Sequence, residues 1–383
     1  MSATTRFTDP TLPEPPALYL ALELSNRSWK LAFSTGHGQK PRFRNVAARD
    51  LDALCREIAL ALTRFGLPDS VPIISCYEAG RDGFWIHRFL ESRPGHHNLV
   101  VDSASIEVNR RRRRLKTDRI DARKLLSMLI RYHNGEARVW SVVHVPSPEA
   151  EDARHLHREL LTLKSDRTRI TNRIKGLLAA QGLSVTSLGP GLPDQLDDLR
   201  LWDGTPLRAQ LRQRLERACN HRCDVSERIR LIEKLQTQRL ETSAHDPALE
   251  LVRQLMTLKG IGRQSAWLFT FEFFAWRNFQ NRREVGALAG FTPTPYQSGD
   301  DSFDQGISKA GSSSMRAMAI QIAWGWLQFQ PDSALTLWYQ RRFASRGQRM
   351  RKIGIVALAR RLLIELWRFS RTGALPEGAI TSS

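Results

Sequence analysis

Between residues 17 and 133 the spacing of apolar residues changes period in a set order, and that order constrains the fold more tightly than any single motif. ALYLALEL, SWKLAFS and PRFRNVA are short runs with strand-like alternation, separated by polar or glycine-containing turns. A helical stretch follows, DLDALCREIALALTRFG, then the apolar strand VPIISCYEA, the helix-like GFWIHRFLES, the strand HNLVVDS and the helical TDRIDARKLLSMLIRYH. A meander of three strands followed by alternating helices and strands predicts one sheet with parallel members, helices on its faces and antiparallel strands at one side.

The order βββαβαβα is that of an RNase H-like domain, expected over residues 17–148. Residues 149–246 differ in texture, with charge throughout and apolar residues at steps of three and four. Leu156, Leu160, Leu163, Ile170, Ile174 and Leu177 form one seam, broken at Arg167; Leu211, Leu215, Ala218, Val225, Ile229 and Ile232 form another, broken at Arg222. The glycine- and proline-rich SLGPGLPDQLDD between them predicts a helical coiled-coil hairpin. From 247 to 371 a mainly helical domain is expected, with PTPYQSGDDSFDQGISKAG read as a loop feeding a helix near Ser314. The fold class is therefore α/β plus α, with a disordered lead over 1–16 and a tail over 372–383 whose composition also suggests disorder.

Charge narrows the partners. The 383 residues hold 58 Lys plus Arg against 39 Asp plus Glu, a formal charge of +19 that calls for a polyanion, first of all nucleic acid. No apolar run approaches the roughly 18 residues of a spanning helix. Four scattered cysteines, Cys55, Cys76, Cys219 and Cys223, give no disulfide framework and fit a reducing, cytoplasmic location. Cys219, His221 and Cys223 lack the second ligand pair that structural zinc requires. The densest positive run, Arg110, Arg111, Arg112, Arg113 and Arg114 with Lys116 close behind, reads as a phosphate-backbone contact, and Lys309 is counted with it. Lys259-Gly260-Ile261-Gly262 between two helical stretches has the look of a helix-hairpin-helix, whose glycines Gly260 and Gly262 let backbone amides face a phosphate.

The same N-terminal region carries acids where packing does not ask for them. Glu23 lies between Leu22 and Leu24 in an apolar strand, Glu78 ends the fourth strand, and Asp118 and Asp121 share one face of the last helix. Strand one, the end of strand four and the closing helix are where an RNase H-like sheet brings acids together. Four carboxylates suit hard Mg²⁺ ions, and a pair of ions can stabilise the attacking and leaving oxygens of a phosphodiester.

YEAGRDGFWIHRFL, VDSASIEVNRRRRRLKTDRIDARKLL and LAGFTPTPYQSGDDSFDQGISKAGSSSMRAMAIQIAW resemble, in order and over nearly the whole chain, the transposases of the IS-one-ten and IS-eleven-eleven insertion sequences. The resemblance implies a RuvC-like domain with a DEDD acid set, joined to a transposase domain that supplies a catalytic serine. It implies a recombinase guided by a structured noncoding RNA, the bridge RNA, that pairs with target and donor DNA. Glu78, Asp118 and Asp121 match the family's acids, whereas Glu23 stands where the family usually has aspartate. The serine motif points to Ser298 in YQSG, with Ser308 in GISK as the other candidate. No histidine follows His245, so activation of either serine has to come from elsewhere, such as a metal ion. Joining two DNA partners implies a homodimer or tetramer. Two competing readings share this sequence: a metal-dependent nuclease or resolvase without serine chemistry, and an inactive nucleic-acid-binding scaffold.

Overall fold

In the computed structural model, residues 16–107, 117–136, 139–185, 188–189, 195–243, 245–298 and 301–382 are described. The lead lies outside them, and so does the whole basic run read as a phosphate contact, Arg110, Arg111, Arg112, Arg113, Arg114 and Lys116. The chain divides into two compact units, Met1–Val145 and Pro146–Ser383.

The first unit contains β1 (Leu18–Glu23), β2 (Ser28–Ser34), β3 (Arg42–Ala47), α1 (Leu51–Phe65), β4 (Ile73–Glu78), α2 (Trp85–Glu91), β5 (His96–Val101) and α3 (Asp118–His133). Their order along the chain is the one the periodicity predicts. In the sheet the strands lie β3-β2-β1-β4-β5, with β1 antiparallel to β2, β2 antiparallel to β3, and β1, β4 and β5 mutually parallel. Strand alternation sorts side chains between two layers. Leu18, Leu20 and Leu22 join Trp29, Leu31 and Phe33 in a core with Leu54, Ile58 and Leu62 of α1 and Ile86 and Leu90 of α2. Ala17, Tyr19 and Ala21 join Ala32, Ile74 and Cys76 in a second core with Ala122, Leu125 and Leu129 of α3. Each large apolar side chain buried in this way contributes about 1.5–3 kcal/mol, so one residue of register slip, which exchanges the faces, is strongly opposed. Local signals agree: Asp50 caps α1 through its Oδ1 and Gly66 ends it in the left-handed region, φ 65°.

Among the described residues the strands of the second unit are those of one hairpin, and its other named elements are helices. It holds α4 (Pro148–Asp152), α5 (His155–Ala179), α6 (Ala209–Thr242), α7 (Pro247–Met256), α8 (Arg263–Phe269), α9 (Arg282–Leu288), β6 (Pro293–Ser298), β7 (Asp301–Ile307), α10 (Ser313–Phe329), α11 (Ala334–Tyr339) and α12 (Gln348–Thr372). Two π-helical turns, Thr270–Phe274 and Gln340–Ala344, extend α8 and α11. α5 and α6 pack antiparallel along each other, with Lys164 paired to Glu233 at 2.9 Å. The charged breaks in its seams are accommodated individually; Arg222, for instance, donates to the Leu188 carbonyl. The start of α5 joins the C-terminal core through Leu156 and Leu161, and Arg158 holds Glu272 in two hydrogen bonds of 2.5 and 2.8 Å.

Two expectations need correction. Residues 293–307, read as a loop, form a two-stranded antiparallel sheet. Pro293 and Pro295 hide the alternation, yet both strands are edges, where a residue without an N–H is tolerated, and the register shifts between the prolines. The tail is fastened to the core as far as residue 382 rather than loose. The buried Gln330 amide donates to the Lys259 and Ile380 carbonyls at 2.9 and 2.7 Å and accepts from the Ile380 N–H, while Ser382 N–H reaches the Thr257 carbonyl.

Candidate active site

Glu23 is the last residue of β1 and Glu78 the last of β4. The two strands are parallel neighbours with Leu22 beside Tyr77, so the glutamates come next at one level, at the carboxyl end of the sheet. Alternation turns both toward α3, because Tyr19 and Ala21 before Glu23, and Ile74 and Cys76 before Glu78, belong to the core beneath that helix. The helix runs opposite to these strands. Tyr19 Oη meets His133 Nδ1 at 2.9 Å near its last turn, and Cys76, level with Ala21, has its Sγ 3.9 Å from the Leu125 carbonyl. Two residues further along the strands the first turn of α3 is reached, and it carries Asp118 and Asp121.

The four acids therefore share one face and one end of the sheet. Thr117 caps α3, its hydroxyl accepting from the Ile120 N–H, and the positive end of the helix dipole favours Asp118 and Asp121 there. Asp121 Oδ2 is buried with no hydrogen-bond partner among the described residues. A buried carboxylate oxygen without a donor is costly, and a cation satisfies it. The donors are all hard oxygens, so the set fits Mg²⁺ in kind. Among the described residues no three His, Cys, Asp or Glu side chains stand close enough to share one ion, so a common end and face is as far as the arrangement goes.

The phosphate contact expected just before these acids, at Arg110, Arg111, Arg112, Arg113, Arg114 and Lys116, lies outside the described residues. Cations that the sequence reading passed over do flank the acids. Lys30 lies directly across the β1–β2 ladder from Glu23. Arg119 and Arg123, one turn apart on α3, both stack over the Phe43 ring of β3, their guanidinium carbons 4.8 and 5.5 Å from its centroid. Both are exposed, and neither has an ion pair among the described residues. The only trace in sequence is the i, i+4 spacing of the arginines, and nothing in it points to Phe43.

The serine candidates bracket the hairpin of the second unit. Ser298 ends β6 opposite Asp301, whereas Ser308 follows β7 and is exposed, its N–H bonded to the Thr292 carbonyl at 2.8 Å. Lys309 follows in the left-handed region at φ 55°, unusual for a residue with a Cβ and costing about 1–3 kcal/mol. Its N–H is tied to the Gly290 carbonyl, and Arg316 bonds to its carbonyl. The Lys259–Gly262 turn does join two helices, α7 and α8. Gly260 adopts φ 95° against Phe329, so a Cβ there would be strained and crowded. The Lys259 backbone is engaged by Ile380 and Gln330, and the helix beyond Gly262 has seven residues.

Residues 252–337 match the transposase family described as IS116/IS110/IS902. The protein y4rJ of Sinorhizobium fredii (strain NBRC 101917 / NGR234), named as a transposase, is 41% identical over 377 residues, which span 95% of this chain and 94% of that one. The chain belongs to the IS116/IS110/IS902 family of transposases. A shorter likeness, 27% over 195 residues covering 49% of this chain and 54% of its relative, links the transposase to the transposase for insertion sequence element IS1328 of Yersinia enterocolitica. The family match spans the hairpin with Ser298 and Ser308 and the Lys259–Gly262 turn, and the long alignment extends over the sheet and its acids as well. As a transposase the protein acts on DNA, and among the described residues no helix is long and apolar enough to cross a membrane.

Proposed function

We propose that this transposase cuts and rejoins DNA with a Mg²⁺-dependent acid set, Glu23, Glu78, Asp118 and Asp121, and a serine nucleophile, Ser298. The observation that carries the reading is the common face and end of the four acids together with the orphaned Asp121 oxygen. The first unit is then an RNase H-like, RuvC-like domain. Bound Mg²⁺ would stabilise charge on the attacking and leaving oxygens of the phosphodiester. Asp118 and Asp121 supply two oxygen ligands from one preorganised helical turn, and the Glu23 side chain reaches one methylene further than the aspartate of the family pattern.

The serine step balances simply. Ser298 Oγ forms a bond to phosphorus as one strand P–O bond breaks, leaving a phosphoserine on one DNA end and a hydroxyl on the other. Attack by a hydroxyl of a second strand releases the serine and restores a phosphodiester. Ser298 rather than Ser308 is favoured because the resemblance places the family's serine in YQSG, the stretch in which Ser298 ends β6 opposite Asp301. Donor and target DNA need at least two catalytic chains, so a homodimer or tetramer is part of the proposal, as is guidance by a structured RNA from the element itself. Single Ser298→Ala and Ser308→Ala proteins test the assignment in a donor–target recombination assay. Loss confined to Ser298→Ala supports it, and loss confined to Ser308→Ala moves the nucleophile to the hairpin base. For the guide, RNA recovered with the purified protein and sequenced should derive from the flanks of the element; recombination by protein stripped of RNA would exclude guidance.

A further inference from the structure

From Ser333 to Ile364 the chain holds eight cations, Arg341, Arg342, Arg346, Arg349, Arg351, Lys352, Arg360 and Arg361, and no acid. The first six fall within twelve residues and all are exposed. None has an ion pair among the described residues. Unlike a charged tail, they ride on a rigid corner. The π-helical turn Gln340–Ala344 leads through a short bend into α12, and buried Phe343 packs against Gly354 so closely that a Cβ there would lie 2.5 Å from the ring. Trp338 closes the other side, with the Arg361 guanidinium 4.3 Å from its centroid. Trp338, Arg341, Arg342, Phe343, Arg346 and Met350 line a groove on this corner. The N-terminus of α12, a helix of 25 residues capped by Gly347 without a side-chain bond, adds its dipole at the same spot.

Six cations held this close repel one another, and among the described residues no acid pairs with any of them. A polyanion would relieve that repulsion by releasing its own condensed counterions. The aromatic residues narrow the choice. One face of Trp338 is covered by Arg361 and Phe343 is buried, so this corner presents charge rather than the open ring faces on which unpaired bases stack. We propose that Arg341, Arg342, Arg346, Arg349, Arg351 and Lys352 form a docking surface on the C-terminal unit for the phosphate backbone of double-stranded DNA. The surface holds duplex without reading its sequence. It goes beyond the acid and serine assignments and does not depend on them.

Because Arg342, Arg346 and Arg349 are exposed, their replacement leaves the fold intact, which an unchanged melting temperature verifies. Binding of a labelled duplex of about 30 base pairs by the full-length chain, in EDTA and between about 50 and 200 mM salt, then isolates the backbone term. For Arg342→Gln/Arg346→Gln/Arg349→Gln the expected result is a log–log salt slope shallower by about 2–3 and affinity at low salt reduced on the order of 100-fold. A control with Arg27→Gln, Arg56→Gln and Arg64→Gln removes the same charge from exposed sites of the other unit. An equal loss in the control, or an unchanged slope in the corner variant, overturns the proposal. So does a corner variant that keeps duplex affinity but no longer binds folded RNA, since the surface would then serve RNA. EDTA removes metal-dependent chemistry, so failure here and failure of the acid assignment register in different assays.

Discussion

The two units position polar groups by different means. In the first, sheet register does the work: parallel pairing of β1 with β4 and the two-residue alternation bring Glu23 and Glu78 to one level and one face, and a single helix adds Asp118 and Asp121. In the second, buried polar side chains fasten helices to each other. Glu272 is held by Arg158, and by Arg154 at 4.0 Å, while His157, fully buried, shares a hydrogen-bonded row with Gln236 and Gln264. The contrast teaches that the acids can be changed at little cost to folding, because backbone geometry sets their places. The polar fasteners of the second unit cannot.

The strongest way to break this contrast is at the acids. An Asp118→Ala/Asp121→Ala protein should lose recombination by on the order of 10³-fold, several kcal/mol of transition-state stabilisation, while its melting temperature and its DNA binding in EDTA change little. A large drop in melting temperature would show that these acids are structural. The reverse pattern is expected at Glu272→Gln, which removes the carboxylate from between buried Arg154 and half-exposed Arg158 and should cost about 3 kcal/mol in denaturant unfolding. A stability change near zero would remove the fastener role.

His157 sharpens the comparison through pH. Burial lowers its pKa from 6.5 to about 4, against the smaller raising effect of Glu272 and alongside the lowering effect of Lys164. The unfolded chain therefore takes up a proton first as pH falls, so stability should drop between about 6.5 and 4 and be insensitive to this group outside that window. The full effect is about 3 kcal/mol. Unfolding of the intact protein and of His157→Gln across that range measures it, and identical pH profiles would contradict the assignment. The smallest effect is expected at Thr117→Ala, which removes the α3 cap at a cost of about 0.5–1 kcal/mol. Because the cap orients the turn bearing both aspartates, activity should fall more than stability does, and an unchanged rate would show that register alone suffices.

Much of the first unit was legible in the sequence, because its elements are short, apolar and separated by turns; Glu23 stood out by interrupting an apolar strand, Glu78 by ending one, and Asp118 and Asp121 by sharing one helical face. The faces of Glu23 and Glu78 follow from alternation once the strands are recognised. What could not be read depends on contacts between distant residues. Phe43 acquires meaning only when α3 lays Arg119 and Arg123 across it. The ordered tail depends on Gln330, some fifty residues from Ile380. The hairpin bearing Ser298 was hidden by prolines, and the basic corner by the scatter of its cations among apolar and small residues.

The proposal that strand exchange needs both the acids and the serine is tested most directly by the covalent intermediate. The protein is incubated with Mg²⁺ and labelled donor DNA, denatured, digested, and the peptides scanned by mass spectrometry for a nucleotide adduct. The account predicts an adduct on Ser298 that disappears in Asp118→Ala/Asp121→Ala and when EDTA replaces Mg²⁺. Efficient strand exchange by Ser298→Ala, with free DNA ends and no adduct, would contradict it.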